Sequence, residues 1–281
     1  MVTTNYHLHS HYCDGSGNLE DFIEFAIRNS FTAIGLTGHS PLPFPNDWTM
    51  KNEDFPAYVD EAKKLKKKYS KHIQIYIGVE TDYLDSIHNP NNSKYRELGI
   101  EYQIGSIHML KDKSEGKCYA IEGPLSELNH LINNTFNGHI EEVVKFYYKM
   151  LNEMLETGGF KIVGHFDIIK KHNKRLNFFD ENSTWYKESV FKSLELIKQK
   201  EYIMEINTGG ISSGYTNDYY PSNWIINEAA KLGIPIIINS DAHKPEHSDF
   251  HLNYAENTVK RLGYNYRYEL LNNAFFKKKI E

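Results

Sequence analysis

Two histidines separated by one residue, His7-Leu8-His9, are the first feature with chemical content. Side chains two apart on an extended strand point the same way, so both imidazoles can reach one ion. The same spacing returns near the other end of the chain as Asp241-Ala242-His243. Between them, His39, Glu80, His108 and His165 each close a short apolar run, and Asp14 follows the first pair in Cys13-Asp14-Gly15. Imidazole and carboxylate together suit zinc, manganese or iron. Without such ions, so many polar and charged groups at one buried edge would be severely destabilising. Single members carry little weight. His39 alone is more readily a hydrogen-bonded structural residue, Glu80 half of a lysine pair, and Cys13 a small buried side chain. His72, His88, His130, His139, His172, His247 and His251 lack the strand-end setting.

The elements that must position these residues are seven short runs rich in β-branched residues, read as buried parallel strands. They are Thr3–His9, Thr32–Gly38, Ile73–Glu80, Tyr102–His108, Lys161–Phe166, Tyr202–Asn207 and Ile234–Ser240. Helical periodicity fills the gaps. Asn18 caps a helix from Leu19, with Asp21 in its first turn. Ile140, Val143, Val144, Tyr147, Leu151, Met154 and Leu155 form one apolar face, ended by Gly158-Gly159. A third helix runs Pro221–Leu232, stopped by Gly233. Alternation of this kind implies βαβ units and a mostly parallel sheet, with chemistry at the C-terminal strand ends. No linker divides the chain, so residues 1–281 read as one domain, and the irregular stretch Lys111–Gly138 reads as a lid insertion. The lysines of Lys63–Lys71 read as a solvated helix face.

The composition narrows the class. A net charge of −5 predicts neither nucleic-acid nor membrane binding, and no apolar run approaches a bilayer span. Two cysteines build no disulfide framework and no secretory leader is legible, which predicts a cytoplasmic protein.

The motifs His7-Leu8-His9-Ser10, Gly38-His39-Ser40-Pro41-Leu42-Pro43-Phe44, Gly78-Val79-Glu80-Thr81-Asp82-Tyr83 and Gly105-Ser106-Ile107-His108 resemble those of the polymerase and histidinol phosphatase (PHP) superfamily. Gly164-His165-Phe166-Asp167, Glu205-Ile206-Asn207-Thr208 and Ser240-Asp241-Ala242-His243-Lys244-Pro245-Glu246 extend the likeness over nearly the whole chain. Ser40–Phe44 and Lys244–Glu246 point to its histidinol-phosphate phosphatase branch. The resemblance implies an α/β fold, a distorted (β/α)7 barrel, with three divalent ions (Zn, Mn or Fe). His7 and His9 would bind the first, with Asp241 completing the group and Glu80 bridging to a second held by His108 and His165. His39 and His243 would hold the third, completed by Asp14 or a neighbour just after Cys13. It implies hydrolysis of L-histidinol phosphate, in L-histidine biosynthesis, by metal-activated hydroxide, with Glu80, Asp241 and His243 as catalytic residues.

A phosphate monoester also needs donors beyond the metals. Arg175 is favoured for its fork, with Lys174 and Lys244 as further candidates. Ser212-Ser213 stands where some histidinol phosphatases carry an arginine, and Glu205 and Tyr83 are candidates for the amine and imidazole of the substrate. The rival readings are another PHP phosphoesterase acting on a nucleotide or phosphodiester, a non-catalytic polymerase-associated domain, and a metal-dependent amidohydrolase. The last commonly expects a strand-end lysine, and no match is found.

Overall fold

A computed structural model describes residues 1–280. Seven strands form one sheet: β1 (Thr4–Asn5), β2 (Ala33–Leu36), β3 (Gln74–Asp82), β4 (Tyr102–Ser106), β7 (Ile162–Val163), β8 (Ile203–Asn207) and β9 (Ile236–Asn239), adjacent in that order. The numbers skipped belong to a small antiparallel hairpin, β5 (Met109–Lys111) with β6 (Cys118–Ala120). Every pairing in the large sheet is parallel, with registers such as Ile34 opposite Ile75 and Gly78 opposite Tyr102. Leu8 bridges Ala242, and the His9 amide donates to the Ala242 carbonyl at 2.9 Å, which closes the first strand onto the last. The result is the distorted (β/α)7 barrel, an α/β fold, that the sequence motifs imply.

The seven expected runs all appear as strands, several of them shorter than expected. β1 and β7 keep only two paired residues each, because the histidines beyond them leave the ladder to face the barrel mouth. Leu19–Arg28 starts where expected, with the Asn18 amide donating to Asp21 Oδ2 at 2.7 Å. Ile140–Thr157 buries Val143, Val144, Tyr147, Leu151, Met154 and Leu155 and stops at Gly158. The third helix begins at Asn223 rather than Pro221, because the Asp218 carboxylate accepts the Asn223 amide at 2.9 Å and Ser222 is turned toward Asp167. Gly233 ends it at φ 71°, a left-handed turn that glycine adopts without a Cβ penalty.

Period-two alternation divides the barrel interior into two halves. Tyr102, Ile104 and Ser106 share one face of β4. At the N-terminal end Tyr102 packs with Tyr6, Tyr76, Ala33, Ile162, Ile203 and Ile237. The Tyr102 hydroxyl donates to the Tyr6 carbonyl at 2.7 Å, and a Cβ on Gly35 would lie 1.8 Å from that hydroxyl, so only glycine fits there. A C-terminal hairpin that the sequence patterning did not reveal, β10 (Tyr266–Leu271) with β11 (Ala274–Lys279), turns at Asn272-Asn273, both at positive φ. Its Leu270 seals this end: the Tyr6 hydroxyl donates to the Leu270 carbonyl at 2.8 Å and accepts its amide at 3.0 Å. The other half of the interior, from Ser106 outward, is polar.

Candidate metal centre

The polar half gathers every ligand proposed from the sequence. His7, His9, His39, Glu80, His108 and His165 are all buried, Asp241 is partly buried, and the side chains of Asp14 and His243 are the most open. Glu80 stands at the centre. Its Oε2 lies 3.0 Å from His7 Nε2, 3.1 Å from His39 Nδ1 and 3.4 Å from His9 Nε2. Its Oε1 lies 2.8 Å from His165 Nε2 and 3.3 Å from His108 Nε2. The two oxygens of one carboxylate thus face different histidine sets, the geometry expected of a bridging ligand. Asp241 Oδ1 lies 3.1 Å from His9 Nε2 and 3.5 Å from His7 Nε2. Asp14 Oδ2 lies 3.3 Å from His243 Nε2, and Asp14 Oδ1 lies 3.7 Å from His39 Nε2. Three overlapping groups have donor atoms close enough to share an ion: His7, His9 and Asp241; His39, Glu80 and His108; and His9, Asp14, His39 and His243.

Burial and neighbouring charges move these groups in different directions. Burial opposes charge on Glu80, yet His7, His108 and His39 hold its carboxyl well below the usual range. Burial, reinforced by His39 and His243, brings the His9 imidazole down to about 3, leaving it neutral and its nitrogens available as ligands. Burial pulls the His243 imidazole down too, but Asp14 and Asp241 outweigh it and lift the group to about 9. His9 Nε2 and His39 Nδ1 are shielded from solvent and make no hydrogen bond. Orphaned imidazole nitrogens facing carboxylate oxygens are what divalent ions would satisfy.

A further layer orients these donors. Glu205, a candidate for the substrate amine, instead lies fully buried behind the histidines. Its Oε1 is 2.7 Å from His7 Nδ1 and accepts from Asn239 Nδ2 at 2.9 Å, while its Oε2 accepts from the His165 amide and Asn207 Nδ2. With its hydrogen-bonding capacity used inside the protein, it is not free for substrate. Asp82 does the same for His108, meeting Nδ1 at 2.9 Å and the backbone amide at 3.0 Å. A proton on Nδ1 leaves the Nε2 lone pair of each histidine directed into the cluster. Asn207 also donates to Asp241 Oδ2 at 3.0 Å, and Asp241 sits at φ 54°, a conformation such contacts must hold in place.

Above the cluster lies a cavity of ≈ 850 Å³, walled by Asp14, His39, Glu80, His108, His165, Asp241 and His243 on its floor. Arg175 and Lys244, the expected phosphate donors, are both exposed and absent from its wall. The short helix Asn173–Leu176 carries Arg175 past the rim, and its neighbour Lys174 is engaged by Asn217. The cation that does line the cavity is Lys171, whose Nζ bonds Glu122 Oε2 at 2.7 Å and lies 4.7 Å from the centre of the Tyr215 ring. Burial opposes charge on Glu122, but Lys171, then His108 and His165, bring its carboxyl down to about 2. Tyr83 lines a separate groove beside Lys145 and Tyr148. The stretch expected as a lid supplies Tyr119, Glu122, Gly123 and Glu127 to one wall, and Trp48 stands edge-on to His39 at 4.8 Å.

The chain resembles proteins of one kind along most of its length. A histidinol-phosphatase of Bacillus subtilis is 27% identical over 259 residues, covering 87% of this chain and 94% of its own. A histidinol-phosphatase of Saccharomyces cerevisiae is 22% identical over 286 residues, covering 84% and 82%. The crystal structure of histidinol phosphate phosphatase from Lactococcus lactis, complexed with zinc, L-histidinol and phosphate, superposes with a TM-score of 0.76 at 20% identity, covering 98% of this chain and 99% of its own. No helix among the described residues is long and apolar enough to cross a membrane. The PHP domain family model matches residues 5–209, the segment that brings together all of the ligand cluster except Asp241 and His243, and the chain belongs to that family.

Proposed function

We propose that this protein is a metal-dependent phosphatase that hydrolyses L-histidinol phosphate to L-histidinol and phosphate, a step of L-histidine biosynthesis. The observation that carries the reading is the juxtaposition of a Glu80-centred histidine cluster with a Lys171–Glu122 pair on the wall above it. The Lactococcus lactis protein, with zinc and the two products L-histidinol and phosphate bound, supports the reading, and the names of the curated relatives agree.

Three ions are proposed: one at His7, His9 and Asp241, one at His108 and His165 with Glu80 shared, and one at His39, His243 and Asp14. The first set is itself a group of donor atoms close enough to share an ion, the third lies within another, and the second rests on the approach of both imidazoles to Glu80 Oε1. Bound there, divalent ions supply Lewis acidity toward phosphate and hydroxide at neutral pH. The chain's own residues do the rest. Glu205 and Asp82 hold His7 and His108 in the tautomer that faces the cluster. Glu80 keeps its charge because His7, His108 and His39 outweigh the cost of its burial. Asp241, fixed by Asn207, places a carboxylate oxygen at the cavity floor where a proton can be accepted or returned.

Lys171 and Glu122 answer the charges of the substrate. Each neutralises the other at 2.7 Å, and a substrate carrying both phosphate and ammonium offers each a partner of opposite sign. The Lys171 ammonium donates to a non-bridging phosphate oxygen, and the Glu122 carboxylate accepts from the substrate amine. Trp48, Tyr119 and Tyr215 give the imidazole an aromatic wall.

The test is a substrate panel run on one preparation of known metal content. kcat/KM for L-histidinol phosphate is expected to exceed that for an aryl phosphate by a factor of about 100 or more, since contacts to amine and imidazole add transition-state binding. Equal constants, or preference for a nucleotide or a phosphodiester, would overturn the assignment.

A further inference from the structure

Directly behind the cavity wall lies a second charged cluster that the chemistry above does not use. Asp167 and Lys170 are both almost wholly inaccessible to solvent. Lys170 Nζ lies 2.9 Å from Asp167 Oδ2, donates to the Tyr219 carbonyl at 3.0 Å and bonds the Ser222 hydroxyl. Ser222 closes the ring, its amide and hydroxyl each reaching Asp167 Oδ2 at 2.9 Å. Glu181 completes the surroundings at 3.4 Å from the Ser222 hydroxyl, and the Lys170 ammonium lies over the Tyr220 ring.

Such a cluster is poorly explained as a source of stability. Burying an ion pair costs about as much as it returns, and apolar residues of similar volume do as well. What it does supply is a fixed geometry between two loops. One follows β7 and carries His165, Asp167, Lys170 and Lys171; the other precedes the helix Asn223–Leu232 and carries Tyr215, Tyr219, Tyr220 and Ser222. Consecutive side chains diverge on the tight turn Ile168–Lys170, so Lys170 anchored inward leaves Lys171 facing the cavity. The second loop is itself held to the barrel, since Tyr220 and Asn207 exchange backbone hydrogen bonds of 2.8 and 3.1 Å.

We infer that the Asp167–Lys170–Ser222 cluster is a positioning device that holds Lys171 over the metal cavity, and that its effect on anion binding passes through Lys171. The inference rests on the reading of Lys171 as a phosphate partner, but not on the identity of the rest of the substrate. Inorganic phosphate is therefore the probe, titrated calorimetrically into the metal-loaded enzyme.

Four proteins close a cycle: the parent, Lys171→Ala, Asp167→Asn/Lys170→Met, and the three substitutions combined. Replacing both members of the pair avoids leaving a buried charge unpaired. The phosphate dissociation constant is expected to rise about 10-fold in the Asp167→Asn/Lys170→Met protein, part of what one charge-assisted hydrogen bond supplies. Metal content should match the parent. In the Lys171→Ala background the same replacement should add nothing, because the two sites act in series. An equal rise in both backgrounds would make the cluster merely structural and overturn the inference. So would an unchanged dissociation constant in the parent background, or in Lys171→Ala alone. If the double replacement does not fold, Ser222→Ala removes one tether and leaves the ion pair, and the same background dependence decides. Failure of the histidinol assignment shows separately, as absence of turnover with phosphate binding intact.

Discussion

Replacing Glu80 by glutamine is the perturbation that most directly probes the centre. The side chain keeps its shape and loses one negative charge at a position 1% exposed, among five imidazole nitrogens at 2.8–3.4 Å. Removing one member of a buried charged set costs about 3–5 kcal/mol. At about 1.4 kcal/mol per decade, this corresponds to a loss of roughly 10²–10⁴ in affinity for the ions that share the carboxylate. Because Oε2 faces His7, His9 and His39 while Oε1 faces His108 and His165, the loss should fall on two ions together. An amide offers one weak acceptor and turns an NH₂ toward the other histidine set. Metal analysis after dialysis against a graded chelator reads this directly, with circular dichroism to verify folding. Glu80→Asp keeps the charge on a shorter arm and should retain one ion more firmly than the other. A Glu80→Gln protein that holds its full metal complement and turns over normally would remove the bridge from the mechanism.

Lys171→Ala should lower kcat/KM for L-histidinol phosphate by about 10–100-fold, the range for a hydrogen bond to a charged group, while Arg175→Ala leaves it within about threefold; steady-state kinetics on the two variants separates them. The reverse ranking would restore Arg175 as the phosphate donor. Asp82→Asn should weaken the ion held by His108 about 10–100-fold while leaving the fold intact, read as metal retained against chelator. Arg267 is buried between Glu256, at 2.8 Å, and Glu269, and Arg267→Met should destabilise the protein by about 3 kcal/mol or more in denaturant unfolding, since two carboxylates lose their partner. Burial opposes charge on Glu256, but Arg267 and the amino terminus hold its carboxyl below its ordinary value. Its contribution is therefore fully present above the unfolded-state value of about 4.3 and is lost as pH falls through the lower folded value. A Glu256→Gln protein should show a shallower loss of stability in that window than the parent, and identical slopes would refute the linkage.

What could be read from the sequence follows from how far each signal travels along the chain. His7 with His9 and Asp241 with His243 announce themselves because strand periodicity is local, and the convergence of six strand ends needs only the parallel barrel as a premise. Glu122 and Lys171 gave no such signal. One lies in an irregular stretch, the other in a basic loop, and their contact joins residues 49 apart that only the folded chain brings together. Fork chemistry favours Arg175, but chemistry does not say which way a short helix turns its side chains. Glu205 and Tyr83 were legible as candidates and not as positions: one faces the back of His7, the other a different groove. The C-terminal hairpin escaped because its strand β11 is exposed and lysine-rich, with little apolar alternation to mark it.

The division of the barrel interior explains why a chain can place nine ionisable candidate ligands at one end and still fold. Inward positions on β4 pass from Tyr102 through Ile104 to Ser106, so one strand face changes from aromatic packing to a hydrogen bond with Glu80 within five residues. The packed half, with Tyr6, Tyr76 and Tyr102 sealed by Leu270, excludes water and fixes the strands without any ion. The polar half is then held to that frame by neutral and charged partners outside the ligand set: Asn5 bonds Ser240, Asn207 bonds Asp241, Asn239 bonds the Tyr6 amide and Glu205, and Glu205 and Asp82 turn the histidines. Metal affinity in such an arrangement depends on donors aligned beforehand rather than on ions drawing a loose chain together. The two halves therefore answer to different perturbations, with substitutions around Tyr102 and Leu270 acting on folding, and substitutions at Glu205, Asp82 and Glu80 acting on the ions.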